Sequence, residues 1–202
     1  MISAFEDTGG TCMKVTVGVM GSASGELDPE VCKRVFELGR EIARQGCILI
    51  TGGCPGYPYE ATKGAKAEGG LTIGISPAMG LREHVERYHS PINSIDLLVY
   101  TGTGLMGREV TAVRSCDIVI IVGGRSGTLG EFAIAYDEGK LIGVLEGTGG
   151  IADRIHEITS IIRKDTGCEI VYDSDPKALI QRLLKVHETE KERARVRKYF
   201  YG

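Results

Sequence analysis

Short apolar runs that end in clustered glycines recur along this chain, and they constrain its fold more than any other feature. Lys14–Met20 (KVTVGVM) leads into Gly21-Ser22-Ala23-Ser24-Gly25. Cys47–Ile50 leads into Thr51-Gly52-Gly53-Cys54-Pro55-Gly56, and Leu97–Tyr100 into Thr101-Gly102-Thr103-Gly104. Asp117–Val122 (DIVIIV) leads into Gly123-Gly124-Arg125-Ser126-Gly127. Short β-branched runs bounded by glycine read as strands. Leu71–Ile75, Leu141–Leu145 and Glu169–Tyr172 add three more strands of the same kind.

Helical patterns separate these strands. Asp28-Pro29 supplies an N-cap and a first-turn proline, and Val31, Val35, Leu38, Ile42 and Ala43 then recur at helical spacing as far as Gln45-Gly46. Further helices are expected over Tyr57–Glu68, Leu105–Ser115, the stretch up to Glu138, Gly149–Lys164 and Pro176–Val186, the last with an extension into the charged tail left open. Ala78–Ser94 reads as a loop with helical turns. Strand and helix in alternation imply βαβ units. The expected fold is α/β: a Rossmann-like, doubly wound, mainly parallel sheet with helices on both faces. The run DIVIIV suits a strand buried on both faces. One domain is expected over residues 1–202, with residues 1–12 as a flexible N-terminal arm and residues 187–202 as a charged tail.

Composition narrows the function. The net charge is −3, so nucleic acid is an unlikely partner, since such proteins usually carry a basic patch and a high pI. No apolar run is long enough for a membrane span, and Met1–Cys12 has no signal-peptide core. The six cysteines form neither a CxxC pair nor a zinc-finger spacing. Cys47 and Cys116 read as buried thiols, and Cys54 as a small loop residue or, alternatively, a reactive thiol. A cytoplasmic, reducing location is expected.

The chemistry is expected in the glycine loops. Parallel sheets bind ligands at the carboxyl ends of their strands. Glycine lets backbone N–H groups approach a ligand, and the helix that follows favours an anion such as phosphate. The 29 glycines, about twice the usual share of roughly 7%, fit a nucleotide or sugar-phosphate site. The first loop, at Gly18-Val19-Met20-Gly21, lacks GxGxxG after its strand, and GxxxxGK[ST] does not occur, so dinucleotide and P-loop chemistry have no specific support. No histidine stands in a metal pattern, and no metal is expected. His84 and His89 are candidates for lining a cleft, while His156 and His187 read as helix-surface residues. The most specific feature is a pair of segments flanking DIVIIV: Met106-Gly107-Arg108-Glu109 before it and Gly123–Glu131 after it. Arg108 and Glu131 can face one another over the loop. Equally, Glu131 can cap its helix with Thr128, leaving Arg108 on the surface.

At these residues the chain resembles the LOG family, cytokinin-activating phosphoribohydrolases long mislabelled as possible lysine decarboxylases. The family pattern is an MxxRK-like segment followed by PGGxGTxxE. Its counterparts here are Met106 to Glu109 and Gly123 to Glu131, and the likeness extends over roughly residues 14–146. Gly21-Ser22 and Thr51-Gly52-Gly53 resemble the first two family loops, and Leu71–Pro77 the strand that follows. A wider group with this fold includes molybdenum-cofactor carrier proteins. The chain departs from the pattern at Gly123 in place of Pro, Arg125 in place of Gly, and Glu109 in place of Lys.

The resemblance implies hydrolysis of the N-glycosidic bond of a nucleoside 5′-monophosphate to base and ribose 5-phosphate. Glu131 and Arg108 would be catalytic. Gly21, Ser22, Gly52, Gly53, Met106, Gly124, Ser126, Gly127 and Thr128 would bind the nucleotide and its phosphate. No cofactor would be required. The alternative is a non-catalytic nucleotide or molybdenum-cofactor carrier, and a weaker one is a DNA-handling protein. A homodimer or higher homo-oligomer, paired through helices around Leu105–Ser115 and Phe132–Asp137, is also implied.

Overall fold

The computed structural model describes residues 13–201, with side chains as far as residue 190. The expected arm therefore lies outside the described residues. So do the side chains of the tail cluster Arg193, Arg195, Arg197 and Lys198.

Seven strands form one all-parallel sheet: β1 (Thr16–Gly21), β2 (Ile48–Thr51), β3 (Thr72–Ser76), β4 (Leu97–Tyr100), β5 (Ile118–Val122), β6 (Leu141–Leu145) and β7 (Ile170–Asp173). Their order is β4-β3-β2-β1-β5-β6-β7. The chain thus winds outward from β1 to β4 and returns to the other side of β1. Strand order reverses between β1 and β5, and such a reversal opens a crevice at the strand ends. β5 is buried at every position, as its unbroken apolar run requires.

Side chains alternate along the strands and build two cores. On one face, Ile118, Ile120 and Val122 of β5 pack with helices α1 (Pro29–Arg44), α2 (Tyr57–Ala67) and α7 (Pro176–Tyr201). On the other, Val119 and Ile121 pack with α4 (Gly104–Arg114), α5 (Ser126–Asp137) and α6 (Ile155–Ile162). The short helix α3 (Leu81–Glu86) lies between β3 and β4. α1 begins as expected: the Asp28 carboxylate accepts the Glu30 N–H at 2.8 Å. The tail continues α7 as helix.

Some expectations change. The helix read over Gly149–Lys164 starts later, as a 3₁₀ turn at Ala152–Arg154 followed by α6. Gly149 and Gly150 take φ of +77° and +57°, and the Asp153 carboxylate accepts N–H groups from Gly147, Thr148 and Gly149. That loop competes with the apolar stripe and wins. His187 is buried rather than on the helix surface. His84 is fully buried and lines no cleft: its Nδ1 faces Ser76 Oγ at 2.8 Å and its Nε2 faces the Pro91 carbonyl at 3.0 Å. Cys47 and Cys116 are buried. No helix among the described residues is long and apolar enough to cross a membrane.

Candidate functional site

Three of the four glycine loops meet at the reversal of strand order, because β2, β1 and β5 are neighbours in the sheet. The loops hold one another. Ser22 Oγ accepts the Gly124 N–H at 2.9 Å, and the Ser22 carbonyl accepts the Tyr57 N–H at 2.9 Å. Gly56, at φ +82°, passes so close that a Cβ there would lie 2.0 Å from the Ser22 oxygen. The loop after β6 supports the set from behind: Thr148 Oγ1 accepts the Gly123 N–H, and the Ile151 N–H binds the Gly124 carbonyl.

A pocket of about 380 Å³ opens there, within the range of roughly 300–1,000 Å³ typical of small-molecule sites. Its walls are the end of β1 with the loop after it (Val19 to Ala23), Gly52, Cys54 and Pro58, the α4 residues Leu105, Arg108 and Glu109, and the start of α5 with Arg125 to Thr128 and Glu131. No side chain caps α5, so its first N–H groups are left for an anion.

Arg108 and Glu131 are both buried in this pocket, with Arg108 Nη1 3.9 Å from Glu131 Oε1. The Glu131 side chain therefore does not close the capping box that was open in sequence. Gly52 makes room for the guanidinium: a Cβ at Gly52 would lie 1.7 Å from Nη1. Arg108 Nε and Nη1 are buried with no hydrogen-bond partner. Burial pushes the Glu131 carboxyl up to about 7; the Arg108 charge opposes this and Glu109 adds to it. Glu109 is raised by burial too, again against Arg108. The Cys54 thiol is pushed up by burial, with Arg108 opposing. That is the wrong direction for a reactive thiolate.

Of the residues expected in the site, Gly21, Ser22, Gly52, Arg108, Ser126, Gly127, Thr128 and Glu131 line the pocket. Gly53, Met106 and Gly124 do not. Gly53 packs toward Gly74 and Leu98, Met106 is 80% exposed, and the Gly124 amide is engaged by Ser22. The glycines at 102–104 sit at the edge strand, three places from β1. Cys54, Leu105, Glu109 and Arg125 line the pocket without having been predicted to. Leu105 had a signal, since it is one helical turn before Arg108. Arg125 reaches from the loop after β5 to donate a hydrogen bond to Ser24 Oγ after β1. Among the described residues, no three His, Cys, Asp or Glu side chains gather as metal ligands would.

Fold and pocket together define a Rossmann-like α/β protein with a ligand cleft where its strand order reverses. The chain belongs to the SLOG cluster4 family, whose profile matches residues 14–180, and so to the LOG-like group its motifs indicated. An uncharacterized protein of Archaeoglobus fulgidus is 37% identical over 131 residues, covering 64% of this chain and 79% of that one. The molybdenum cofactor binding protein of Rippkaea orientalis is 28% identical, with a TM-score of 0.70 over 87% of this chain and 99% of that one. The Moco carrier protein of Chlamydomonas reinhardtii is 30% identical, with a TM-score of 0.71 over 88% and 99%. The DNA processing protein A of Helicobacter pylori, at 20% identity and a TM-score of 0.61 over 85% and 80%, shares the fold alone.

Proposed function

We propose that this protein binds a small phosphorylated heterocyclic compound, a pterin phosphate or a nucleoside 5′-monophosphate, and acts as its carrier. The observation that carries this reading is Arg108: a buried guanidinium with two nitrogens that make no hydrogen bond, in a pocket beside the uncapped start of α5. A buried donor without an acceptor is costly, by about 1–3 kcal/mol or more when charged, and an anionic ligand would satisfy it. The N–H groups of Ser126, Gly127 and Thr128 would hold the phosphate. The likeness to molybdenum-cofactor binding and carrier proteins favours a pterin cargo.

A second reading is hydrolysis of the N-glycosidic bond, favoured by the Arg108–Glu131 pair. A carboxyl held near 7 can donate a proton to a leaving base or take one from water. Cleavage of a sugar–base bond also needs a negative charge near the anomeric carbon, which Glu131 supplies only when ionised. One experiment separates the two. The purified chain is incubated with a panel of nucleoside monophosphates and free base is assayed, while mass spectrometry identifies any ligand carried through purification. Retained intact cofactor with no base released supports the carrier. Base release that is lost in Glu131→Gln establishes the hydrolase. We further propose a cytoplasmic homo-oligomer.

A further inference from the structure

Glu109 has no part in that reading, yet it is placed with care. It follows Arg108 on α4, lines the same pocket and is only 7% exposed. Its two oxygens rest against the glycines of α5. A Cβ at Gly127 would lie 3.3 Å from Oε1, and one at Gly130 would lie 3.0 Å from Oε2. Side chains at either position would crowd the carboxylate, so this bare stripe of α5 keeps it where it is. Among the described residues it accepts no hydrogen bond, and the ion pair of Arg108 goes to Glu131 instead. Buried carboxylates normally find donors, and one left without them is costly. A carboxylate in the pocket wall with no hydrogen bond from the protein can take its donors from a ligand.

We propose that Glu109 selects the heterocycle: the pocket takes a 2-amino-4-oxo ring, whose adjacent ring N–H and exocyclic NH₂ donate together to the Glu109 carboxylate. An ionised carboxylate offers acceptors only, on two oxygens spaced for two parallel donors. A ring with that edge presents two donors side by side. Adenine presents a donor beside an acceptor, and hypoxanthine presents the ring N–H without the amino group. Burial raises the Glu109 carboxyl, and the Arg108 charge beside it opposes that shift and favours the ionised form. Guanine nucleotides and pterins share this edge. The proposal rests on the reading that the pocket binds a phosphorylated heterocycle.

The test is titration calorimetry of the full chain at pH 7.5 with GMP, IMP, AMP and 6-hydroxymethylpterin monophosphate. GMP or the pterin phosphate should bind at least about tenfold more tightly than IMP and AMP, and the tighter of the two names the source. In Glu109→Gln that preference should fall to within about threefold, with IMP affinity kept. Equal affinity for all four ligands in the wild type overturns the proposal while leaving the phosphate site standing. So does a Glu109→Gln variant that keeps the preference, or that weakens every ligand alike. Binding of none of the four removes the phosphate-site reading, and this proposal with it.

Discussion

At the scale of single residues, the pocket carries charge that the fold holds at a cost. Glu131 is nearly fully buried, and its carboxyl is raised from the usual 4.5 to about 7. The folded state therefore binds a proton that the unfolded chain releases between those values. Stability from this group is fully present below pH 4.5 and is lost as pH rises through 7, by on the order of 3 kcal/mol. Glu131→Gln should thus raise the denaturation midpoint at pH 8 and have little effect at pH 4.5. Urea titrations at both pH values check this, and equal effects at both would contradict it. Gly52 gives a complementary test. A methyl there meets the tip of Arg108 rather than backbone. Gly52→Ala should keep stability within about 1 kcal/mol and weaken ligand binding at least about tenfold by displacing the guanidinium. Paired melting and binding measurements would read both effects.

At the scale of elements, local pattern and close approach explain what the sequence could and could not disclose. The run DIVIIV and the glycine loop behind it were legible because burial on both faces and a tight turn leave local marks. Arg108 and Glu131 were legible as a pair because they flank that one strand. The glycines at 102–104 carried the same local mark as the other loops but stand at the sheet edge, since strand order is a long-range property that no window of sequence contains. Arg125 and Cys54 were missed for the same reason: they become neighbours only when the loops after β1, β2 and β5 are tied together. Glu109 stood in the motif beside Arg108, but its place in the pocket wall depends on how α4 packs against α5. Glycines inside helices were another signal without an address. A Cβ at Gly39 of α1 would lie 1.9 Å from the Ala61 carbonyl oxygen, and one at Gly64 of α2 would lie 1.9 Å from that of Phe36. The two helices thus cross backbone to backbone. Gly39→Ala should destabilise the chain by about 3 kcal/mol or more, measured by chemical denaturation, although alanine is the better helix former. A neutral or stabilising result would refute this account of the crossing.

At the scale of the whole molecule, the distribution of apolar surface bears on assembly. Of the α5 apolar side chains that suggested an interface, Phe132 and Ala135 are fully buried, while Ile134 and Tyr136 are half-buried. Exposed apolar side chains gather at the β4 edge and the start of α4, among them Leu97, Val99, Tyr100, Leu105 and Met106. An apolar edge strand invites pairing with another chain. We propose that a second copy covers it, in a two-fold contact that presents the same patch from each subunit. Leu105 lies both on this surface and in the pocket wall, so the contact would adjoin the site. Light scattering should give at least a dimer mass for the wild type and a lower mass for Val99→Lys. A monomer at micromolar concentration with full ligand binding would contradict it.

The central claim is that Arg108 and the start of α5 form a site for a phosphorylated ligand. Calorimetric titration of the intact chain with GMP against guanosine, in the wild type and in Arg108→Ala, tests it most directly. The two ligands differ only in the phosphate. The account predicts that the wild type binds GMP at least about a hundredfold more tightly than guanosine, a difference near 3 kcal/mol, and that Arg108→Ala removes most of that gap. Equal binding of the two ligands, or a gap unchanged in Arg108→Ala, would contradict it.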